Sequence, residues 1–107
     1  MGIDDKLLEE IIRRILTVER PERIIMFGSA ATGTMNRDSD IDLLVLKEEW
    51  DEPRMERYRI RKALRGMERP FDVIVMRSDY FERTKSVIGG LAYPANKYGR
   101  VIYEAAR

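Results

Sequence analysis

The chain has no cysteine and no histidine. Without cysteine there are no disulfides, thiolate nucleophiles, Fe–S clusters or cysteine-based zinc sites, and without histidine the imidazole base and the commonest transition-metal ligand are missing. An excess of charge is also lacking: 20 Lys and Arg face 19 Asp and Glu, for a formal net charge of +1. No global field draws nucleic acid or an anionic membrane, so direct nucleic-acid binding is not expected, although a local patch could still act. No apolar run approaches the ~18 residues of a spanning helix, and Met1 to Lys6 lacks the apolar region of a signal peptide. Lys6 also stands where a myristoylation motif needs Ser or Thr. The expectation is a protein with no membrane association and a cytoplasmic location.

What remains for chemistry is oxygen from Asp, Glu, Ser, Thr and Tyr, with Lys and Arg as counter-charges. Such ligand sets suit the hard cations Mg²⁺, Ca²⁺ and Mn²⁺. The 107 residues predict one domain over 1–107, since a single core needs about 100 residues to bury most of its apolar surface.

Between Leu7 and Val18 apolar residues recur at helical spacing, and Pro21 marks the exit. Ile24-Ile25-Met26-Phe27 is a short apolar run ended by Gly28, which reads as a buried strand, and Gly28 to Gly33 reads as a turn with at most a short helix. A second strand is predicted over Ile41 to Leu46, followed by a polar loop from Lys47 to Glu52. Pro53 opens a helix predicted to reach about Met67, with Ile60, Ala63, Leu64 and Met67 on one face. A third strand is predicted over Phe71 to Met76. Ser78 or Asp79 should cap the next helix, predicted from about Tyr80 to Ile88, with Glu82 three residues after Asp79 completing a capping box. Gly89-Gly90 breaks that helix; a last short one follows from Leu91 to Tyr98, then the extended stretch Val101-Ile102-Tyr103. The fold class is α/β (α+β): a small mixed β-sheet of about four strands with helices mainly on one face. The link between the first two strands is too short for a crossover helix, which argues for a mixed sheet.

Asp40 and Asp42 flank Ile41 at the start of an otherwise apolar strand. Positions two apart on a strand project from one face about 6.5 Å apart, so the two carboxylates can grip a cation. Without one, like charges about 5 Å apart repel by ~3 kcal/mol at an effective dielectric of about 20. Asp72, one residue into the third strand, can join them if the strands are neighbours. Three converging carboxylates can hold two Mg²⁺ ions for in-line phosphoryl or nucleotidyl transfer. Gly28-Ser29, after an apolar strand, offers bare backbone and a hydroxyl to phosphate oxygens. It is not a Walker A loop, because the Gly-Lys-Ser/Thr ending is absent.

Gly28-Ser29, the ten residues Ala30 to Ser39, and Asp40-Ile41-Asp42, with Asp72 on a later strand, resemble the nucleotidyltransferase superfamily related to DNA polymerase beta. Over nearly the whole chain the short length is similar to its minimal nucleotidyltransferase (MNT) branch, typically the antitoxin partner of a HEPN-domain RNase toxin. The resemblance implies that Asp40 and Asp42 ligate Mg²⁺, and that Asp72 completes the metal site and helps deprotonate the attacking hydroxyl. Gly28 and Ser29 would hold the nucleoside triphosphate. The implied reaction transfers AMP from ATP to a hydroxyl, in this branch a tyrosine of the toxin. One departure stands out: many members read Gly-Ser-x-Ala-Arg-Gly, and Thr32 occupies the arginine position here, removing one guanidinium from the phosphate site. Arg37 either replaces it or sits in solvent.

Other features leave alternatives. Arg54 to Arg69 holds seven basic and two acidic side chains, either a solvated face or a surface that docks an acidic partner or RNA. Trp50 and Tyr103 are partner anchors or core packing. The transferase reading competes with a non-catalytic module that neutralises a toxin by stoichiometric binding. Transfer to a small molecule or RNA end fits less well, because such enzymes generally add an acceptor-binding domain. Self-association is compatible with the sequence.

Overall fold

Asp4 turns its carboxylate back to accept the Leu7 N–H at 2.8 Å and so starts α1 (Asp5–Leu16). Asp5 in the first turn and Arg13 and Arg14 in the last complement the helix dipole, and Leu8, Ile11 and Ile15 form the buried stripe. The computed structural model describes residues 4–32, 39–49, 52–67 and 69–106, except the side chains of Ser29 and Thr32. Arg37 and Trp50 therefore lie outside the described residues. After α1 come β1 (Arg23–Phe27), the single-turn α2 (Ser29–Thr32), β2 (Ile41–Lys47), α3 (Pro53–Ala63), β3 (Phe71–Arg77), α4 (Ser78–Thr84), α5 (Ala92–Tyr98) and β4 (Arg100–Glu104).

Pro53 sits at the start of α3, and Glu52 accepts the Arg54 N–H at 3.3 Å. The helix stops at Ala63, short of the predicted Met67: Leu64 caps it and Gly66, at φ +89°, turns the chain away. Arg14 of α1 donates to the carbonyls of Ala63 and Arg65 at 3.3 and 2.7 Å, which gives these groups at and just past the helix end a partner. The capping box predicted at α4 does not form. The N-cap is Arg77, with no side-chain cap bond, because β3 runs straight into the helix. Asp79 instead accepts the Tyr80 N–H, and Glu82 pairs with Arg23 and Lys85.

The sheet order is β3-β2-β1-β4. β1 pairs antiparallel with β2 and with β4, while β2 pairs parallel with β3 across the α3 crossover, so the sheet is mixed as predicted. Ile24, Met26, Ile41, Leu43, Val45 and Val73 face α1 and α3, whose Ile11, Ile15, Ile60 and Leu64 complete one core; Tyr103 packs against its margin. Ile25, Leu44 and Leu46 face Phe81 of α4 and Ala92 and Ala95 of α5. The long helices thus share one face and the two short ones cover the other. β2 is consequently buried on both sides, which is why its apolar run lacks alternation. Asp42 alone interrupts the run. Among the described residues no helix is long and apolar enough to cross a membrane.

Candidate functional site

The sequence-predicted residues meet where β1 ends and β2 and β3 begin. By strand alternation Asp42 shares the face of Leu44 and Leu46, and Asp72 that of Ile74 and Met76. The parallel register sets Asp42 directly beside Asp72, and the antiparallel register sets Asp42 opposite Phe27, the residue before Gly28. The Ile41 N–H donates to the Pro70 carbonyl at 2.9 Å, locking the starts of the two parallel strands together. Asp40 lies one residue outside β2 and is exposed, whereas Asp42 and Asp72 are half-buried.

The electrostatics follow from this crowding. Burial pushes the Asp42 carboxyl above the usual carboxylate range, and the like charges of Asp72 and Asp40 push it the same way. Gly28 adopts φ +67°, a left-handed conformation that disfavours any side chain, and a Cβ there would collide with Asp42 Oδ2. The carboxylate therefore packs onto the bare glycine backbone. Gly28→Ala should cost ~1–2 kcal/mol from backbone conformation alone, plus the collision. Urea unfolding should show the second part recovered in Gly28→Ala/Asp42→Ala, with the backbone part remaining. Equal losses in both backgrounds would mean that Asp42 does not lean on Gly28.

Three carboxylates at one end of the sheet, against a glycine cradle, have the ligand chemistry for Mg²⁺, which takes hard oxygen donors. Among the described residues no three acidic side chains converge into a complete cation cage; the backbone fixes the adjacency of Asp42 and Asp72. The Ser29 side chain lies outside the description, and its backbone begins α2, where the Ala31 N–H donates to the Gly28 carbonyl at 3.2 Å.

A second cluster escaped the sequence reading, which placed Lys47 in a polar loop. Lys47 ends β2 and donates to Glu19 Oε1 at 2.6 Å and to Glu56 Oε1 at 3.2 Å, while Arg59 donates to Glu19 Oε2 at 2.7 Å. Glu19 and Glu56 are buried. Burial alone would raise the Glu19 carboxyl, but the bonds from Lys47 and Arg59 outweigh it and hold it below its ordinary value. Burial likewise opposes the Lys47 charge, yet Glu19 and Glu56 hold its ammonium above the usual lysine range. The hint was Glu56, four residues before Ile60 on the apolar stripe of α3, where a charge survives only if paired.

The family model for the nucleotidyltransferase domain matches residues 5–92. No curated protein matches the chain. Among solved structures, a chain of a toxin–antitoxin complex with AMP-PNP superposes with a TM-score of 0.70 at 21% identity, covering 92% of this chain and 73% of that one. A putative nucleotidyltransferase from Sulfolobus solfataricus gives 0.61 at 23% identity, covering 92% and 78%. A chain of the complex of a tri-AMPylated Shewanella oneidensis HEPN toxin with its MNT antitoxin gives 0.62 at 17% identity, covering 96% and 74%. At these identities the solved structures speak for the fold, and the match over residues 5–92, which spans α1 through the start of α5 and includes every residue of the carboxylate edge, places this protein in the nucleotidyltransferase domain family.

Proposed function

We propose that this protein transfers AMP from ATP to the hydroxyl of a tyrosine on a HEPN-domain RNase toxin, and so serves as its antitoxin. The observation that carries the reading is the register of β2 and β3, which sets Asp42 beside Asp72 on the face shared with the Gly28 turn. A site kept only for folding would not bring like charges together in a half-buried position. Support for the acceptor class comes from the similar folds solved with AMP-PNP in a toxin–antitoxin complex and with a tri-AMPylated HEPN toxin.

In this reading Asp40, Asp42 and Asp72 hold two Mg²⁺ ions, which when bound supply charge neutralisation of the phosphates and polarisation at the α-phosphorus. Gly28 lets the triphosphate approach its backbone closely, and Ser29 contributes a hydroxyl donor. Asp72 takes the proton of the attacking hydroxyl as its oxygen bonds to the α-phosphorus. The bond from that phosphorus to the bridging oxygen breaks, and pyrophosphate leaves. A reaction that consumes ATP fits a cytoplasmic location.

The test is to incubate the protein with Mg²⁺-ATP and a HEPN partner and read the partner's intact mass. Addition of one or more AMP units by wild type, absent with Asp42→Asn, is the expected result. Equal inhibition of the partner by both proteins with no change in mass would replace this reading with stoichiometric binding.

A further inference from the structure

We propose that the exposed side of α3 forms a groove that binds a single strand of nucleic acid, a function separate from nucleotide transfer. The groove has a volume of about 560 Å³ and is lined by Arg54, Arg57, Arg61, Lys62, Arg65 and Arg69. The net charge of +1 hides this because acids elsewhere balance it; the fold gathers six of the 20 basic side chains around one depression.

Seven cations elsewhere are already matched by acids. Arg13, Arg14, Arg23, Lys47, Arg59, Arg77 and Lys85 each meet a carboxylate. Among the described residues, Arg54, Arg57, Arg61, Lys62 and Arg65 do not. Like charges three and four residues apart on a helix repel, so the stripe calls for an anionic partner.

The lining chemistry says which anion. Among the described residues no Asp, Glu, Asn, Gln, Ser or Thr lines the groove, so these lining side chains donate hydrogen bonds and, apart from the Tyr58 hydroxyl, accept none. An acidic peptide would bring backbone N–H groups that find no side-chain acceptor there. Phosphodiester oxygens only accept, and five of the six cations are arginines, whose planar fork fits phosphate. Tyr58 is 49% exposed amid the arginines, and Phe71 lines the same groove half-buried. Both offer faces on which bases stack. From Arg54 to the last helical residue α3 runs about 14 Å, and Arg65 carries the stripe past its end, which suits about three or four nucleotides rather than one. The groove thus reads a strand through phosphates and stacking, without base-specific contacts.

Fluorescence anisotropy of the full chain with labelled oligo-U RNA of about ten nucleotides tests this, alongside oligo-dT, the corresponding duplex and a glutamate peptide of equal length. Single strands should bind, with a log–log salt slope of about −2 to −3 for three or four phosphate contacts; the RNA and DNA arms distinguish the source of the strand. Arg57→Ser/Arg61→Ser/Arg65→Ser should weaken binding at least ~10-fold and flatten the salt slope by about two. Tyr58→Ala should weaken it at least ~5-fold and leave the slope alone, as loss of stacking requires. The control Lys6→Ser/Arg20→Ser/Arg83→Ser removes equal charge elsewhere and should bind within about twofold of wild type, because the phosphate contacts remain. Asp42→Asn should bind as wild type even if it transfers nothing, so a failure of the transferase reading leaves this result intact. The proposal is overturned if the glutamate peptide or the duplex binds as tightly as the single strands, if Tyr58→Ala has no effect, or if no strand binds at about 50 mM salt, where phosphate contacts are strong.

Discussion

Asp42→Asn is expected to stabilise the protein while abolishing transfer. The folded-state pKa of Asp42 is raised by burial and then by Asp72 and Asp40, so the ionised carboxylate penalises the native state. The penalty is absent below the unfolded carboxyl pKa of about 3.9, grows as pH climbs through the folded value, and is complete above it. With Asp42 half-buried, solvent screening limits the gain to about 1 kcal/mol at pH 7. For a domain of this size that is ~4–8 °C in melting temperature, measured without divalent cations. At pH 3 the difference should vanish, since Asp42 is then protonated in both states. Transfer should fall at least ~100-fold, because loss of even an outer-shell metal partner costs 10–100-fold. A variant that melts at or below wild type at pH 7 would mean that the carboxylates do not strain one another. The opposite signs of the two effects are the mark of a charge cluster kept for chemistry rather than for folding.

Lys47→Met should be the most damaging single change. It leaves Glu19 and Glu56, both buried, without the ammonium that bridges them at 2.6 and 3.2 Å. Removing one partner of a buried ionic cluster costs ~3–5 kcal/mol, a large share of the ~5–15 kcal/mol that holds a domain together. The urea midpoint should drop accordingly with the slope unchanged. Adding Glu19→Gln and Glu56→Gln should restore part of the loss, because the buried acids that lose the ammonium, rather than the lysine stem, carry it. Failure of that rescue would assign the loss to packing. The pH profile has two limbs. Glu19, depressed by Lys47 and Arg59 against burial, contributes stability above its unfolded pKa that is lost as pH falls through the folded value. Lys47, raised by its two acids against burial, contributes stability below about 10.4 that is lost as pH rises through its folded value. Wild type should therefore lose stability at both extremes, and Lys47→Met should lack the alkaline limb.

The two clusters occupy opposite ends of β2 and show how differently sequence reports on sites. Around Asp42 the pattern is local: an acid inside an apolar run stands out whatever the rest of the chain does, and Gly28 follows an apolar run that can only be buried. Around Lys47 nothing local signals the partners, because Glu19 is 28 residues away and Glu56 is nine away, on separate elements. The apolar stripe of α3 forms as the pattern predicts at Ile60 and Leu64, but the stripe also swallows Glu56.

Local spacing, then, determined the helices and the strands and set Asp42 inside an apolar one, because backbone geometry repeats over a few residues. Only the tertiary structure decided that Asp72 stands next to Asp42, that α3 carries its cations around a groove, and that Lys47 unites two buried acids. Each of these depends on strand order, register and helix placement, set by how the apolar faces of distant segments cover one another, and no short window of residues contains that information.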